Sequence, residues 1–196
     1  MKYDEIEKFA HNNNVPIMME DGIELLCKLI KENGILDILE LGTAIGYSAI
    51  KMAELDSRIH VTTLEIDEER YTQALRNIKD AGLNDQIEAI LKDAMSYETE
   101  HKFDLIFIDA AKSQTLRYLD HFAKNLKEDG IVVVDNLNLH GMVDDPSLTE
   151  NRNTKQMIRK IKKFRDEIQV NEKYHVIFLK NVGDGIMIIK NRNKSV

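Results

Sequence analysis

The chain has no tryptophan, one cysteine and two prolines among 196 residues. A single thiol excludes a disulfide framework and a multi-cysteine zinc site. Cys27 falls in the apolar repeat Ile23, Leu26, Cys27, Ile30 and reads as a small buried side chain. With so little proline and no glycine- or serine-rich tract there is no linker, so one domain over residues 1–196 is expected. No apolar run approaches the roughly 18 residues needed to cross a bilayer. The first ten residues, MKYDEIEKFA, carry acids where a signal peptide needs a hydrophobic stretch. A cytoplasmic chain with no membrane partner is expected.

What is present is a core and a charge asymmetry. Hydrophobic residues make up 43%, enough at this length for one sizeable core. Residues 1–150 hold 15 Lys and Arg against 30 Asp and Glu, a balance of −15, whereas residues 151–196 hold 12 against 4, a balance of +8. An acidic body argues against indiscriminate coating of nucleic acid but leaves room for one local phosphate-binding face.

Helical spacing over about 20–33 is followed by the apolar run 35–41, a helix over 46–55, a strand over 59–66 and a helix over about 68–81. Strands are expected near 86–91 and 103–109, a helix over 113–127, an apolar run at 130–135, a loop at 136–150 and a helix over about 152–170. YHVIFLK and GIMIIK, joined through Asn181, Val182, Gly183 and Asp184, predict a terminal antiparallel hairpin. Strand and helix alternate through most of the chain, which gives an α/β, doubly wound, mostly parallel sheet. Ligands of such sheets sit beyond the carboxyl ends of the strands. Residues 1–34 are expected to form a helical cover over a 35–196 core.

Chemistry is therefore expected just after strands. ELGTAIGYS, Glu40 to Ser48, follows the first one, and its glycines let the backbone turn tightly beside a ligand. The next strand ends at Glu65, placed to accept hydrogen bonds from a ribose diol, and the third at Asp93-Ala94, where a carboxylate can meet an adenine amino group. Dinucleotide sites usually read GxGxxG; here Thr43 stands where the second glycine would admit a diphosphate, which favours S-adenosylmethionine (SAM) over NAD. Asp109 closes FDLIFID and Asp135-Asn136 closes GIVVVDN. Two carboxylates and an amide oxygen beside a cofactor suit a hard octahedral cation such as Mg²⁺, with no histidine or thiolate to favour zinc.

Together, ELGTAIGYS, the acidic strand end at Glu65, FDLIFIDAAKSQ, VVVDN and NVGDGIMIIK resemble the bacterial cation-dependent class I SAM O-methyltransferases. The similarity runs from Val15 to about Lys190 and is nearest to the group that methylates 5-hydroxyuridine at the wobble position of tRNA. It implies a class I SAM-dependent methyltransferase fold, Rossmann-like and seven-stranded. It also implies Asp109, Asp135 and Asn136 on Mg²⁺, with Mn²⁺ as the alternative, and Met18, Glu40, Gly42, Ser48, Glu65, Asp93, Ala94 and Asp109 around SAM. Lys112 takes the place of the catalytic lysine, beside Asp109. Members of this family usually carry a further helical stretch before the segment matching VPIM, whereas 14 residues precede Val15 here; the contacts of that stretch with RNA or a second subunit are left open, and a homodimer stays among the partners the resemblance allows.

From Arg152 to Arg165 there are seven basic residues and no acid, with Met157, Ile161, Phe164 and Ile168 as an apolar stripe. Arg152, Lys155, Arg159 and Lys163 are the candidate RNA contacts, and His140 a candidate substrate contact. The expected reaction is methyl transfer from SAM to a hydroxyl next to a second oxygen, producing 5-methoxyuridine in tRNA. A small-molecule catechol or caffeoyl-CoA-type methyltransferase acting on a vicinal diol is the alternative, and a SAM-binding module without catalysis the non-enzyme one.

Overall fold

The computed structural model describes residues 3–13 and 15–192. Helices α1 (Tyr3–Asn12) and α2 (Glu20–Asn33) precede β1 (Asp37–Leu41), α3 (Tyr47–Ala53), β2 (His60–Glu65), α4 (Glu68–Asp80), β3 (Ile87–Leu91), β4 (Phe103–Ile108), α5 (Thr115–Phe122), β5 (Leu126–Val134), α6 (Arg152–Gln169), β6 (Tyr174–Leu179) and β7 (Ile186–Asn191). The seven strands form one sheet in the order β3-β2-β1-β4-β5-β7-β6. β7 runs antiparallel to both of its neighbours, while the other pairs are parallel. The expected α/β class and terminal hairpin are what is observed.

Alternation along the central strands builds two cores. Ile38, Leu105, Phe107, Ile131, Val133, Ile186 and Ile188 face α1 to α4. Leu39, Leu41, Ile106, Ile108, Val132, Val134, Met187 and Ile189 face α5 and α6. Helices on both faces leave the strands little polar character, hence their nearly continuous apolar runs. Cys27 packs half-buried against the first core. Among the described residues no helix is long and apolar enough to cross a membrane.

Two expected boundaries move. The helix over 113–127 is α5 flanked by single 3₁₀ turns, and β5 begins at Leu126, four residues before the apolar run. Asn125 causes the early stop: its side-chain amide donates to the carbonyls of Thr99 and His101, at 2.8 and 3.0 Å, which draws the chain to the sheet. Residues 127–130 then bulge between the pairs Phe103–Leu126 and Leu105–Ile131. At Gly130 a Cβ would lie 2.9 Å from the Lys127 carbonyl oxygen as well as against Leu126, so a side chain there would make the fold-back shift. Lys127 at this bulge reaches Asp37 and Asp104, at 2.7 and 2.9 Å. In α6 the buried stripe is Ile158, Ile161, Phe164 and Ile168, with Met157 only half-buried.

Strand order reverses between β1 and β4, and the loops after these strands part to leave a crevice. β6 is parallel to β5, so α6, which leads into it, begins at the same carboxyl edge and packs against residues 112–114.

Candidate active site

A cavity of about 530 Å³ opens at that edge. Its wall includes Met18 from the segment before α2, Gly42 and Ala44 from the loop after β1, Glu65 from β2, Asp93 and Ala94 after β3, Asp109 and Lys112 after β4, and Asn136 after β5. Apart from Met18, these residues, far apart in the sequence, meet because each ends or follows a strand of one sheet.

The turn after β1 shows why its sequence is glycine-rich. Gly42 sits at φ 105°, and a Cβ there would collide with the Asp109 carbonyl, so both conformation and close approach demand glycine. Ala44 also lies at positive φ, 46°, and its N–H donates to Glu65 Oε2 at 2.8 Å. Glu65 Oε1 accepts from the N–H groups of Ile66 and Asp67, each at 2.9 Å. The carboxylate expected to meet a ribose therefore also ties the loop to β2. Asp93 caps the 3₁₀ turn 94–96 by accepting from Met95 N at 2.7 Å and still borders the cavity.

Two expected cofactor contacts lie elsewhere. Glu40 is fully buried and outside the cavity wall, and Ser48, 8% exposed, is spent on it. Glu40 accepts from the hydroxyls of Ser48 and Thr63, and Thr63 pairs with Thr43 at 2.6 Å. The side chain of Glu40 points from β1 toward α3, so these residues brace the glycine turn from behind. Burial, opposed by the two hydroxyls and reinforced by Asp109 and Glu65, pushes the Glu40 carboxyl up to about 7. Thr43, 1% exposed, likewise turns inward.

At the other end of the cavity Lys112 Nζ lies 2.5 Å from Asp109 Oδ1. Asp135 is 1% exposed, and its Oδ1 accepts from Asn136 N at 2.6 Å. Burial, followed by repulsion from Asp109, pushes the Asp135 carboxyl up to about 6. Asn136 holds φ 59°. Among the described residues no group of three or more His, Cys, Asp or Glu side chains is arranged to hold a metal. The candidate set is two carboxylates and an amide. Its donors are all hard oxygens, and the repulsion between Asp109 and Asp135 is of the kind that a cation relieves, so the residues fit Mg²⁺.

Sequence reasoning gave no role to Asp184, in the turn between β6 and β7. It borders the cavity at 7% exposure, accepts from His140 N at 2.7 Å and adds to the negative field on Asp135. Its only trace in the sequence is the pair of glycines around it in NVGDG. Of the candidate RNA contacts on α6, Lys155 pairs with Glu150 at 3.0 Å and Lys163 with Glu167 at 3.5 Å. Arg165, outside that set, is pinned to Asp144 at 3.2 Å. Asp144 also holds Lys180, at 2.7 Å, fastening the loop after β5 to α6 and β6.

Comparison with known proteins places the chain in a family. A family model described as O-methyltransferase matches residues 2–192, and the chain belongs to that family of class I methyltransferases. The catechol O-methyltransferase of Niastella koreensis is 34% identical over 135 residues, which cover 65% of this chain and 60% of that enzyme. The crystal structure of a Staphylococcus aureus protein provisionally described as a caffeoyl-CoA O-methyltransferase has a TM-score of 0.93 at 33% identity, covering 98% of this chain and 93% of the other. An O-methyltransferase from Bacillus cereus, solved in complex with S-adenosylhomocysteine (SAH), has a TM-score of 0.81 at 26% identity, covering 97% and 90%.

Proposed function

We propose that the protein is a SAM- and divalent-cation-dependent O-methyltransferase acting on one hydroxyl of a small vicinal diol of the catechol or caffeoyl type. The observation that carries this reading is one cavity with a ribose-type acceptor, Glu65, at one end and Asp109, Lys112 and Asn136 at the other. The names of the relatives favour the small diol over the tRNA base expected from the sequence.

When bound, SAM supplies the methyl group and the cation supplies Lewis-acid charge for two adjacent oxygens. Glu65 and Asp93 would hold the nucleoside, with Ala94 and Met18 enclosing it. Asp109, Asp135 and Asn136 would hold the cation. Lys112, kept against Asp109, stands where it can take the proton of the reacting hydroxyl. Holding donor and acceptor side by side in one cavity makes the step effectively intramolecular. Incubation with SAM, Mg²⁺ and 3,4-dihydroxybenzoate, followed by mass spectrometry, should show a product heavier by one methyl substitution. No methylated diol over a panel of catechols and caffeoyl esters overturns the reading.

A second reading, 5-hydroxyuridine in tRNA, is favoured by the +8 balance of residues 151–196 and by Arg152 and Arg159 on α6, which begins at the edge that carries the cavity. It expects an Arg159→Ala/Lys163→Ala variant to bind tRNA more weakly and with a flatter salt dependence. Unchanged affinity and slope remove α6 from any RNA contact.

A further inference from the structure

The loop after β5 holds three non-glycine residues in the left-handed region within five positions: Asn136 at φ 59°, Leu139 at 49° and His140 at 53°. Such conformations persist only where surrounding contacts over-determine them, and they concentrate at functional sites. Here the restraint is the turn between β6 and β7. The Gly185 carbonyl accepts from Leu137 N at 2.9 Å and the Asp184 carbonyl from Asn138 N at 2.7 Å. The Asp184 carboxylate accepts from His140 N at 2.7 Å. Gly185, at φ 84°, leaves room for this docking, since a Cβ would come within 3.0 Å of Asn138 N.

The consequence is the placement of one side chain. His140 borders the same cavity as Asp109, Lys112 and Asn136, with its side chain 79% exposed. Its Nδ1 faces Asp184 Oδ1 at 3.9 Å, and Nε2, on the other side of the ring, can meet a ligand. The strained backbone thus presents an imidazole beside the group that would bind the diol.

We propose that His140 is an acceptor-specificity residue whose imidazole Nε2 donates a hydrogen bond to a carboxylate substituent carried on the ring of the diol, and that Asp184 positions it. This rests on the diol reading above. Held by its backbone N–H on Asp184, the ring would turn an Nε2–H toward the carboxylate of the acceptor, and the hydroxyl pair is left to Asp109, Lys112 and Asn136.

The test compares 3,4-dihydroxybenzoate with unsubstituted catechol as acceptors, and measures binding of the benzoate by calorimetry to protein loaded with SAH and Mg²⁺. His140→Ala should raise KM and Kd for the benzoate about tenfold, the scale of one hydrogen bond to a charged group, with kcat and the catechol KM unchanged. His140→Gln, which keeps an N–H donor, should recover most of the loss. Asp184→Ala should reproduce the KM effect of His140→Ala, and Asp184→Asn, whose amide oxygen can still accept from His140 N, should not. Thermal unfolding of each variant identifies loss of fold. Equal effects on both acceptors, or none, overturn the assignment of His140 and leave the diol reading standing. Wild-type protein that methylates neither of these nor any diol of the wider panel overturns both.

Discussion

Glu65 Oε2 accepts the backbone N–H of Ala44 at 2.8 Å, joining the end of β2 to the turn after β1. The other carboxylate oxygen holds Ile66 and Asp67, so one side chain fixes the backbone on both sides of the end of β2. Replacing Glu65 with alanine would therefore remove the proposed ribose acceptor and release the Ala44 turn at once. SAM affinity should fall by about 1.5–3 kcal/mol, the scale for hydrogen bonds to a charged group. Calorimetry reads this directly, and an affinity within twofold of wild type would sink the assignment.

Lys112 tests the chemistry separately from binding. Lys112→Ala should lower the single-turnover rate of methyl transfer by roughly 10²- to 10⁴-fold, the usual span for a positioned general base. Its amine does not hold the nucleoside end, so SAM affinity should stay within about twofold. A rate close to wild type would transfer the proton-accepting role to another group.

Asp135 separates cation from cofactor. Excess chelator should stop methyl transfer by the wild-type protein, and added Mg²⁺ should restore it. Asp135→Ala should abolish turnover without recovery by Mg²⁺, while SAM binding survives. Full activity in chelator removes the cation from the mechanism.

Glu40 links the buried network to pH. Its folded-state value, about 7, lies above the ordinary 4.5. The folded protein therefore retains a proton that the unfolded chain has released, and this contribution to stability is complete below about 4.5 and lost as pH rises through 7. The loss approaches about 3 kcal/mol. Glu40→Gln cannot ionise, so denaturant unfolding at pH 5 and pH 8 should show the wild type losing more stability than the variant over that interval. Parallel changes in the two proteins would mean that Glu40 does not titrate there.

The apolar runs 35–41, 59–66, 103–109 and 130–135 were sufficient to read a parallel sheet, because burial on both faces imposes a local and continuous pattern. The same logic led to Gly42, Glu65, Asp93, Asp109, Lys112 and Asn136, since each lies at or just past a strand end and the carboxyl edge of the sheet gathers those positions. Glu40 and Ser48 stand in the same motif, yet their role changed once α3 was seen to lie across β1. A motif gives spacing but not the direction in which a side chain points.

Sequence alone therefore determined the class of fold and the edge at which the candidate site lies, through periodicities and strand ends that depend only on near neighbours in the chain. Tertiary structure decided the rest. The bond from His140 to Asp184 spans 44 positions, and Asp144 holds Arg165 and Lys180 across 21 and 36. Those meetings result from β7 running antiparallel beside β5, which carries the turn between β6 and β7 to the loop that leaves β5. Glu40 shows the same dependence in its charge, since a carboxyl held near 7 reflects the burial that α3 and β2 impose around it.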